Sequence, residues 1–223
     1  MTSTTMVEPT GINPENRSTA HDLLILGKLA LQNPVIAQIT SIKKTTLPVV
    51  GTIANTNLLL GVEGIDGIKT GTLNSAGASL LFTSHALIGG VTVRFVGVVL
   101  DGPTHPVIDA QIRSIVKAAV SGFHVVQLVN QGASLGSYST VWGQKATATA
   151  SKSASVLVWG GTTISEHTTL DPVTLGTKGS TVGTATFTLS GANSNGQSIS
   201  VPLTLSTTIS DPGAGWRLTH PGQ

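Results

Sequence analysis

The chain has no cysteine, which excludes a disulfide framework, a thiolate metal site and a thiol nucleophile. Aromatic residues make up 4% and charged residues 10% of its 223 positions, the latter far below the roughly 25% of an average soluble protein. Nowhere do about 18 apolar residues follow one another without a Gly, Pro or polar interruption, so an integral helical membrane fold is excluded. A hydrophobic content of 39% is in turn too high for disorder driven by charge. Lys and Arg total 12 against 10 Asp and Glu. They are scattered, with Lys43-Lys44 the one adjacent basic pair and no aromatic-basic stripe, so nucleic acid is not an expected partner. The histidines at 21, 85, 105, 124, 167 and 220 show no ligand spacing, and neither a metal nor another cofactor is expected. The opening Met1–Thr10 lacks the basic-then-apolar order of a secretory signal. Either a cytoplasmic protein or a true start upstream of Met1 is expected from that.

What is abundant is Thr, Ser and Gly, and their distribution divides the chain near residue 122. Residues 1–17 are turn-rich loop, with Pro9-Thr10-Gly11 and Asn13-Pro14 as punctuation. Thr19 can cap a helix, with Asp22 reaching back to it, and Leu23, Leu26, Leu29 and Ala30 then share its apolar face. Asn33-Pro34 is expected to stop that helix, leaving a short apolar pattern and a basic loop over 34–50. From Gly61 the period changes to that of strands. Gly64–Gly71, Leu80–Thr83 and Val91–Leu100 are separated by turns at Asn74–Gly77 and Gly89-Gly90, which predicts a three-stranded antiparallel meander with Val91–Leu100 central. Pro106 opens a second helix whose buried stripe is Ile108, Ile112, Ile115, Val116 and Ala119, stopped at Gly122. Beyond it, about 100 residues of short Thr/Ser/Val strands predict a separate β-sandwich-like module, with Trp142, Trp159 and Trp216 as packing residues.

The candidate chemistry lies at Lys69-Thr70-Gly71, at the end of the first strand of the meander. An ammonium beside a hydroxyl on a strand can bind a carboxylate and depress the pKa of a nearby nucleophile, while glycine admits a substrate backbone. A bare Lys-Thr-Gly is more often a surface turn, so its context carries the weight. A phosphate loop is excluded because Ile68 stands where glycine is required before the lysine.

Gly64–Gly71, the later Ala76-Gly77 and the upstream segment from Met1 through Pro9-Thr10-Gly11 to Ser18–Leu23 resemble the second half of a D-alanyl-D-alanine carboxypeptidase, a low-molecular-mass penicillin-binding protein. The likeness covers most of residues 1–122, and residues 123–210 are similar to the β-domain that follows the catalytic domain in that family. It implies an α+β fold: residues 1–122 as part of a β-lactamase/transpeptidase-like domain, an antiparallel sheet with flanking helices, then an all-β sandwich-like domain over 123–223. It also implies a serine acyl-enzyme mechanism on peptidoglycan stem peptides ending in D-Ala-D-Ala, β-lactam binding, and a place in the extracytoplasmic cell envelope. Membrane association would come through segments not evident in the chain.

Carried onto this sequence, the family's pattern makes Lys69 the source of positive potential, Thr70 a substrate hydrogen-bonding group beside Gly71, and the Thr72 N–H an oxyanion-hole donor. Leu73 stands where the family often has threonine, so the Thr72 hydroxyl is expected to meet the substrate carboxylate. His21 stands where some relatives carry an arginine near that carboxylate. The family's S-x-x-K and S-x-N lie well upstream of K-T-G, and no S-x-N occurs here. The two literal S-x-x-K strings, at Ser41–Lys44 and Ser114–Lys117, are rejected, the first for closeness to Lys69 and the second for following it on the helix stripe. A chain truncated before its nucleophile, inactive by itself, is the expectation. The alternative is a non-catalytic envelope binding or scaffold protein with a degenerate peptidase domain; the appended β-module argues against a β-lactamase.

Overall fold

The computed structural model describes residues 1–191 and 196–221, and the chain divides into two compact units, Met1–Gly122 and Phe123–Gln223. The N-terminal unit runs α1 (Ala20–Leu31), α2 (Pro34–Thr40), β1 (Lys44–Leu47), β2 (Gly51–Ala54), β3 (Ile65–Leu73), β4 (Gly77–Ile88), β5 (Val91–Gly102) and α3 (His105–Ser121). Its main sheet is the expected antiparallel meander, in the order β3-β4-β5. β4, not the apolar β5, is central. The composition of Val91–Leu100 suggested a strand flanked on both sides, but β5 is an edge strand, and its half-buried side chains come from helices, α1 and α3 both packing on it.

The two faces of the sheet are covered differently. Ile108, Ile112 and Val116 of α3 bury against Ile65, Ala78, Leu80 and Phe82. Ile115, expected in that stripe, is half exposed, because it sits a turn position away from the 108/112/116 line. On the opposite face, where alternation places Leu81, α1 approaches through Gly27, whose missing Cβ would lie 3.1 Å from Leu81 and Val96. Of the apolar face read from the sequence, Leu23 and Ala30 are half-buried, but Leu26 and Leu29 are 43% and 53% exposed. The buried positions of α1 are Gly27 and Asp22. Thr19 caps the helix as expected, its hydroxyl accepting from the Asp22 N–H. Asp22 does not close the capping box; its carboxylate accepts instead from Ser3 N–H (2.9 Å) and Thr4 Oγ1 (2.7 Å), tying the N-terminal segment to α1.

Asn33-Pro34 stops α1 and also starts α2. The Asn33 side-chain oxygen accepts from the Val35 and Ile36 N–H groups, with proline at the helix start. The supposed basic loop that follows is the β1–β2 hairpin. At the β4–β5 turn, Gly89 and Gly90 both take positive φ, the conformation that a two-residue hairpin requires.

Within the leading loop, the Glu8 carboxylate accepts hydrogen bonds from the Thr10 N–H (2.6 Å), the Thr10 hydroxyl, the Ile12 and Asn13 N–H groups (3.1 Å each) and Asn16 Nδ2 (2.7 Å). The Thr10 hydroxyl first, then the Asn13 N–H, hold its pKa at about 2 against 4.5 for a free glutamate. A depressed carboxyl pKa contributes order above the unfolded value that is lost as pH falls through the folded one. Protection of the Ile12 and Asn13 amides, taken as exchange relative to an unstructured chain at the same pH, is therefore expected to hold above pH 4.5 and to fall as pH drops toward 2. Glu8→Gln should abolish that transition; an unchanged profile in the variant would place the ordering elsewhere.

The C-terminal unit contains β6 (Phe123–Val129), β7 (Ser134–Ser139), β8 (Lys145–Ala150), β9 (Ala154–Trp159), β10 (Thr163–Leu170), β11 (Thr181–Ser190), β12 (Ser198–Leu205) and a short α4 (Ala214–Thr219). A five-stranded antiparallel sheet, β10-β11-β12-β8-β7, accompanies a two-stranded β6-β9 ladder. The outer strands of the large sheet approach one another: the position of a Cβ on Gly136 would meet the Leu170 side chain at 2.5 Å. The Tyr138 hydroxyl lies 2.9 and 2.8 Å from the Asp171 and Val182 carbonyls. Burial, with Asp171 adding, pushes that phenol's pKa up. Inward-facing Ala146, Ala148, Ala185, Phe187, Val201 and Leu203 form the core. The tryptophans stand outside it. Trp142 packs on its margin and meets Trp216 edge-on at 6.0 Å, Trp216 stacks on His220, and Trp159 is exposed.

Candidate functional site

Among the described residues β3 pairs with β4 alone, and no second strand covers the other edge of Lys69–Leu73, where a ligand can approach. The strand is braced from behind by the segment leading into it. Asn57 is buried, donates to the Gly67 carbonyl (3.3 Å) and accepts from the Leu59 N–H (3.0 Å). Gly64 takes φ +71° where the chain passes close to the His85 backbone, whose N–H donates to the Gly64 carbonyl at 3.1 Å.

Along this strand the four residues singled out by sequence stand together. Lys69 is exposed, its ammonium donates to the Thr70 carbonyl, and it forms no ion pair among the described residues. Its charge is therefore not neutralised by a protein carboxylate. The Thr70 hydroxyl lies 2.5 Å from that of Thr56. Gly71 is exposed, with no atom within 4 Å of where a side chain would begin, which leaves the backbone approachable. The Thr72 hydroxyl lies 2.8 Å from His105 Nε2, at the start of α3. A strand's alternation puts Thr70 and Thr72 on one side and Lys69 on the other.

His21 is not brought to this group. It is exposed on the first turn of α1, a helix that packs mainly on β5 and β4, and among the described residues no hydrogen bond or ion pair joins it to Lys69–Thr72. Its electrostatic influence falls on Asp22, whose pKa is lowered chiefly by the Thr4 hydroxyl. Ser41 and Ser114 each donate to a carbonyl of their own helix, Gln38 (2.8 Å) and Ala110 (3.1 Å), and Lys117 is 3.4 Å from Glu63. Neither is arranged as a serine activated by a lysine.

Thr56 and His105 are the partners that sequence reading missed. Thr56 lies 14 and His105 33 residues from the hydroxyl each one meets, and no local pattern links such positions. At the far end of β3, Asp66 accepts from the Thr83 hydroxyl and pairs with His85 (3.2 Å) and Arg94 (3.4 Å), a charge cluster that leaves Lys69 out.

Residues 1–104 match the family model of the D-alanyl-D-alanine carboxypeptidases. Among curated proteins none matches the chain. Among solved structures, the chain is similar to penicillin binding protein 5 from Haemophilus influenzae, at 20% identity and a TM-score of 0.53, over 93% of this chain and 61% of that one. It is also similar to penicillin-binding protein D2 from Listeria monocytogenes, solved with cefotaxime bound, at 32% identity and a TM-score of 0.43, over 51% of this chain and 47% of that one. The first likeness shows the fold, and the chain spans about three fifths of that relative's length.

Proposed function

Residues 1–104 match the D-alanyl-D-alanine carboxypeptidase family and the chain is penicillin-binding-protein-like in fold, and from that premise we infer that β3 is the substrate strand of a serine-type D-Ala-D-Ala carboxypeptidase of the cell envelope. The observation that carries the reading is an open edge strand with an unneutralised lysine, a hydroxyl on either side of Gly71, and an unobstructed backbone at Gly71 itself.

A stem peptide ending in D-Ala-D-Ala lays its backbone along β3 opposite Gly71, in the manner of an added strand. Lys69 supplies positive potential, the Thr70 hydroxyl hydrogen-bonds the substrate, and the Thr72 N–H faces the oxygen on which charge develops when the carbonyl is attacked. A β-lactam, which carries a carboxylate and an amide in similar relation, fits the same strand. In the full reaction a serine attacks the penultimate carbonyl, the terminal D-Ala leaves, and water releases the acyl group. These 223 residues contribute binding and oxyanion groups but not that serine. His21, which no hydrogen bond or ion pair among the described residues joins to Lys69–Thr72, is left out of this arrangement. Residues 1–122 supply the peptidase-like domain, and residues 123–223 a separate β-domain.

The test is incubation with fluorescent penicillin followed by intact-mass analysis, alongside equilibrium binding of unlabelled benzylpenicillin. The chain is expected to bind reversibly, with Lys69→Ala weakening binding about tenfold or more for the lost charge-assisted contact, and to show no covalent adduct. A stoichiometric adduct would overturn the assignment of the nucleophile outside these residues. Absence of any reversible binding would favour a scaffold role with Lys69-Thr70-Gly71 as an inherited structural element.

A further inference from the structure

Trp142 and Trp216 of the C-terminal unit contribute little to its core, and both are only half-buried. Together they wall an open cleft of about 520 Å³ that Thr174, Leu175, Arg217 and His220 also line, a size within the roughly 300–1,000 Å³ of small-molecule sites. The two indoles meet edge-on, with 6.0 Å between ring centres and 69° between planes. Each is held in place. Trp142 Nε1 donates to Gln144 Oε1 (3.3 Å), and the Gln144 amide is tied in turn to the Thr208 carbonyl and the Ser210 N–H (3.0 Å each). Trp216 stacks on His220 at 4.5 Å with the rings 5° from parallel. The aromatic walls are therefore preformed, and a ligand need not order them.

The polar groups around the cleft narrow the ligand. Arg217, the one permanently charged side chain lining it among the described residues, is ion-paired with Asp211, so no net charge draws in an anion or a cation. The pair sets donors and an acceptor side by side: a guanidinium has five N–H groups, and the Asp211 contact engages a single nitrogen, Nη2. His220 Nδ1 lies 3.0 Å from the Trp216 carbonyl. That oxygen only accepts, so Nδ1 carries the proton and Nε2 of the neutral ring is an acceptor. Thr174 adds a hydroxyl. Neighbouring sugar hydroxyls, each a donor and an acceptor at once, require such a mixture, and the C–H bonds on one side of a pyranose ring suit the negative face of an indole. Leu175, half exposed, gives an acetamido methyl group an apolar surface to cover.

We propose that this cleft binds a neutral glycan of N-acetylated hexose units, with Trp142 and Trp216 as stacking surfaces and the Arg217–Asp211 pair as the group that holds the ring hydroxyls. Its lining comes from the turn between β7 and β8, the loop after β10 and the α4 segment, not from a strand edge, so an extended peptide finds no backbone ladder to join there. The inference does not rest on the reading of β3 as a substrate strand, because every residue in it belongs to the C-terminal unit.

The test titrates chitotetraose, a β-linked chain of N-acetylglucosamine, into the full-length protein carrying Trp159→Phe, in which the remaining tryptophans are the two of the cleft. A saturable change in tryptophan fluorescence is expected, with matching shifts of the Trp142 and Trp216 indole N–H resonances in NMR spectra of the parent protein. Cellotetraose, which has the same ring faces without acetamido groups, should bind several-fold more weakly, and equal binding would overturn the N-acetyl assignment. Arg217→Ala, at an exposed position, should weaken binding about tenfold, and Trp142→Ala by at least as much. Folding of each variant is read from the same spectra, and Arg217→Ala decides the matter if Trp142→Ala unfolds. No response to chitotetraose in the parent, or an undiminished one in Arg217→Ala, would overturn the proposal. So would a shift of the same indole resonances by the peptide diacetyl-L-Lys-D-Ala-D-Ala and not by the sugar, or their burial by self-association that the sugar does not relieve. Each of these outcomes leaves the reading of β3 as it stands.

Discussion

Gly64→Ala is expected to destabilise the N-terminal unit by about 3 kcal/mol or more, among the larger costs for a single added methyl group. Two effects add. Gly64 has φ +71°, a left-handed conformation that costs roughly 1–2 kcal/mol for a residue with a Cβ. The new carbon would also lie 2.1 Å from the carbonyl oxygen of His85. That neighbour is backbone, held in the β4 ladder, and cannot rotate away as a side-chain tip can. Relief requires Gly64 and His85 to part, which breaks the 3.1 Å bond between them. Gly90→Ala separates the two effects, since Gly90 has φ +81° with nothing within 4 Å of its missing Cβ; it should cost only the conformational part. Trp142, Trp159 and Trp216 all lie in the C-terminal unit, so tryptophan fluorescence follows that unit, whereas helical circular dichroism is dominated by α1 and α3 of the other. The urea midpoint followed by dichroism should fall steeply in Gly64→Ala. Equal midpoints for the two alanine variants would show that the approach to His85 is not what demands glycine.

The second large effect is a coupling between β4 and β5. Phe82 is 2% exposed and stands opposite Gly97 in the ladder, and a Cβ on Gly97 would sit 2.2 Å from the tip of the Phe82 ring. The glycine leaves the space into which the ring lies down. Phe82→Ala should cost about 3–5 kcal/mol through lost burial and the cavity left behind. Gly97→Ala in the parent must push the ring out of the core contact with α3, at roughly 1–3 kcal/mol. With the ring already removed, the three atoms nearest to the added methyl group are gone and it fills part of the space they leave. The double variant should therefore be no less stable than Phe82→Ala alone, a coupling of roughly 1–3 kcal/mol between adjacent residues. Strict additivity in denaturant unfolding would refute this packing relation.

Much of the architecture was legible because its signals are local. A Thr19 cap, a Gly89-Gly90 turn and the 108/112/116 spacing each act within a few residues, and each formed as read. What failed depended on distant partners. The apolarity of Val91–Leu100 gives no means of distinguishing a central strand from an edge strand packed by helices. Asn33-Pro34 ends a helix and begins another by the same chemistry, and the local pattern does not reveal which role prevails. At the candidate site, Lys69-Thr70-Gly71 stands out as a motif, but the hydroxyl of Thr56 and the imidazole of His105 are brought to it by the fold alone. The expectation for His21 rests on likeness to a family alone, and among the described residues no hydrogen bond or ion pair joins it to Lys69–Thr72.

The approach of α1 through Gly27 reverses the usual correspondence between hydropathy and mutational tolerance. In most amphipathic helices the leucines are the intolerant positions and the small residues are indifferent. Here Leu26 and Leu29 are the accommodating ones, while Gly27 sets the spacing between helix and sheet with no side chain at all. Alanine at that position gains about 1 kcal/mol of helix propensity and needs a few tenths of an ångström from the tips of Leu81 and Val96, so it lies near balance. Anything larger must lift the whole helix. The tightest sequence constraint in the most apolar helix of the N-terminal unit is thus borne by its least apolar contact, and a substitution profile of α1 read as a hydrophobicity plot would point to the wrong face.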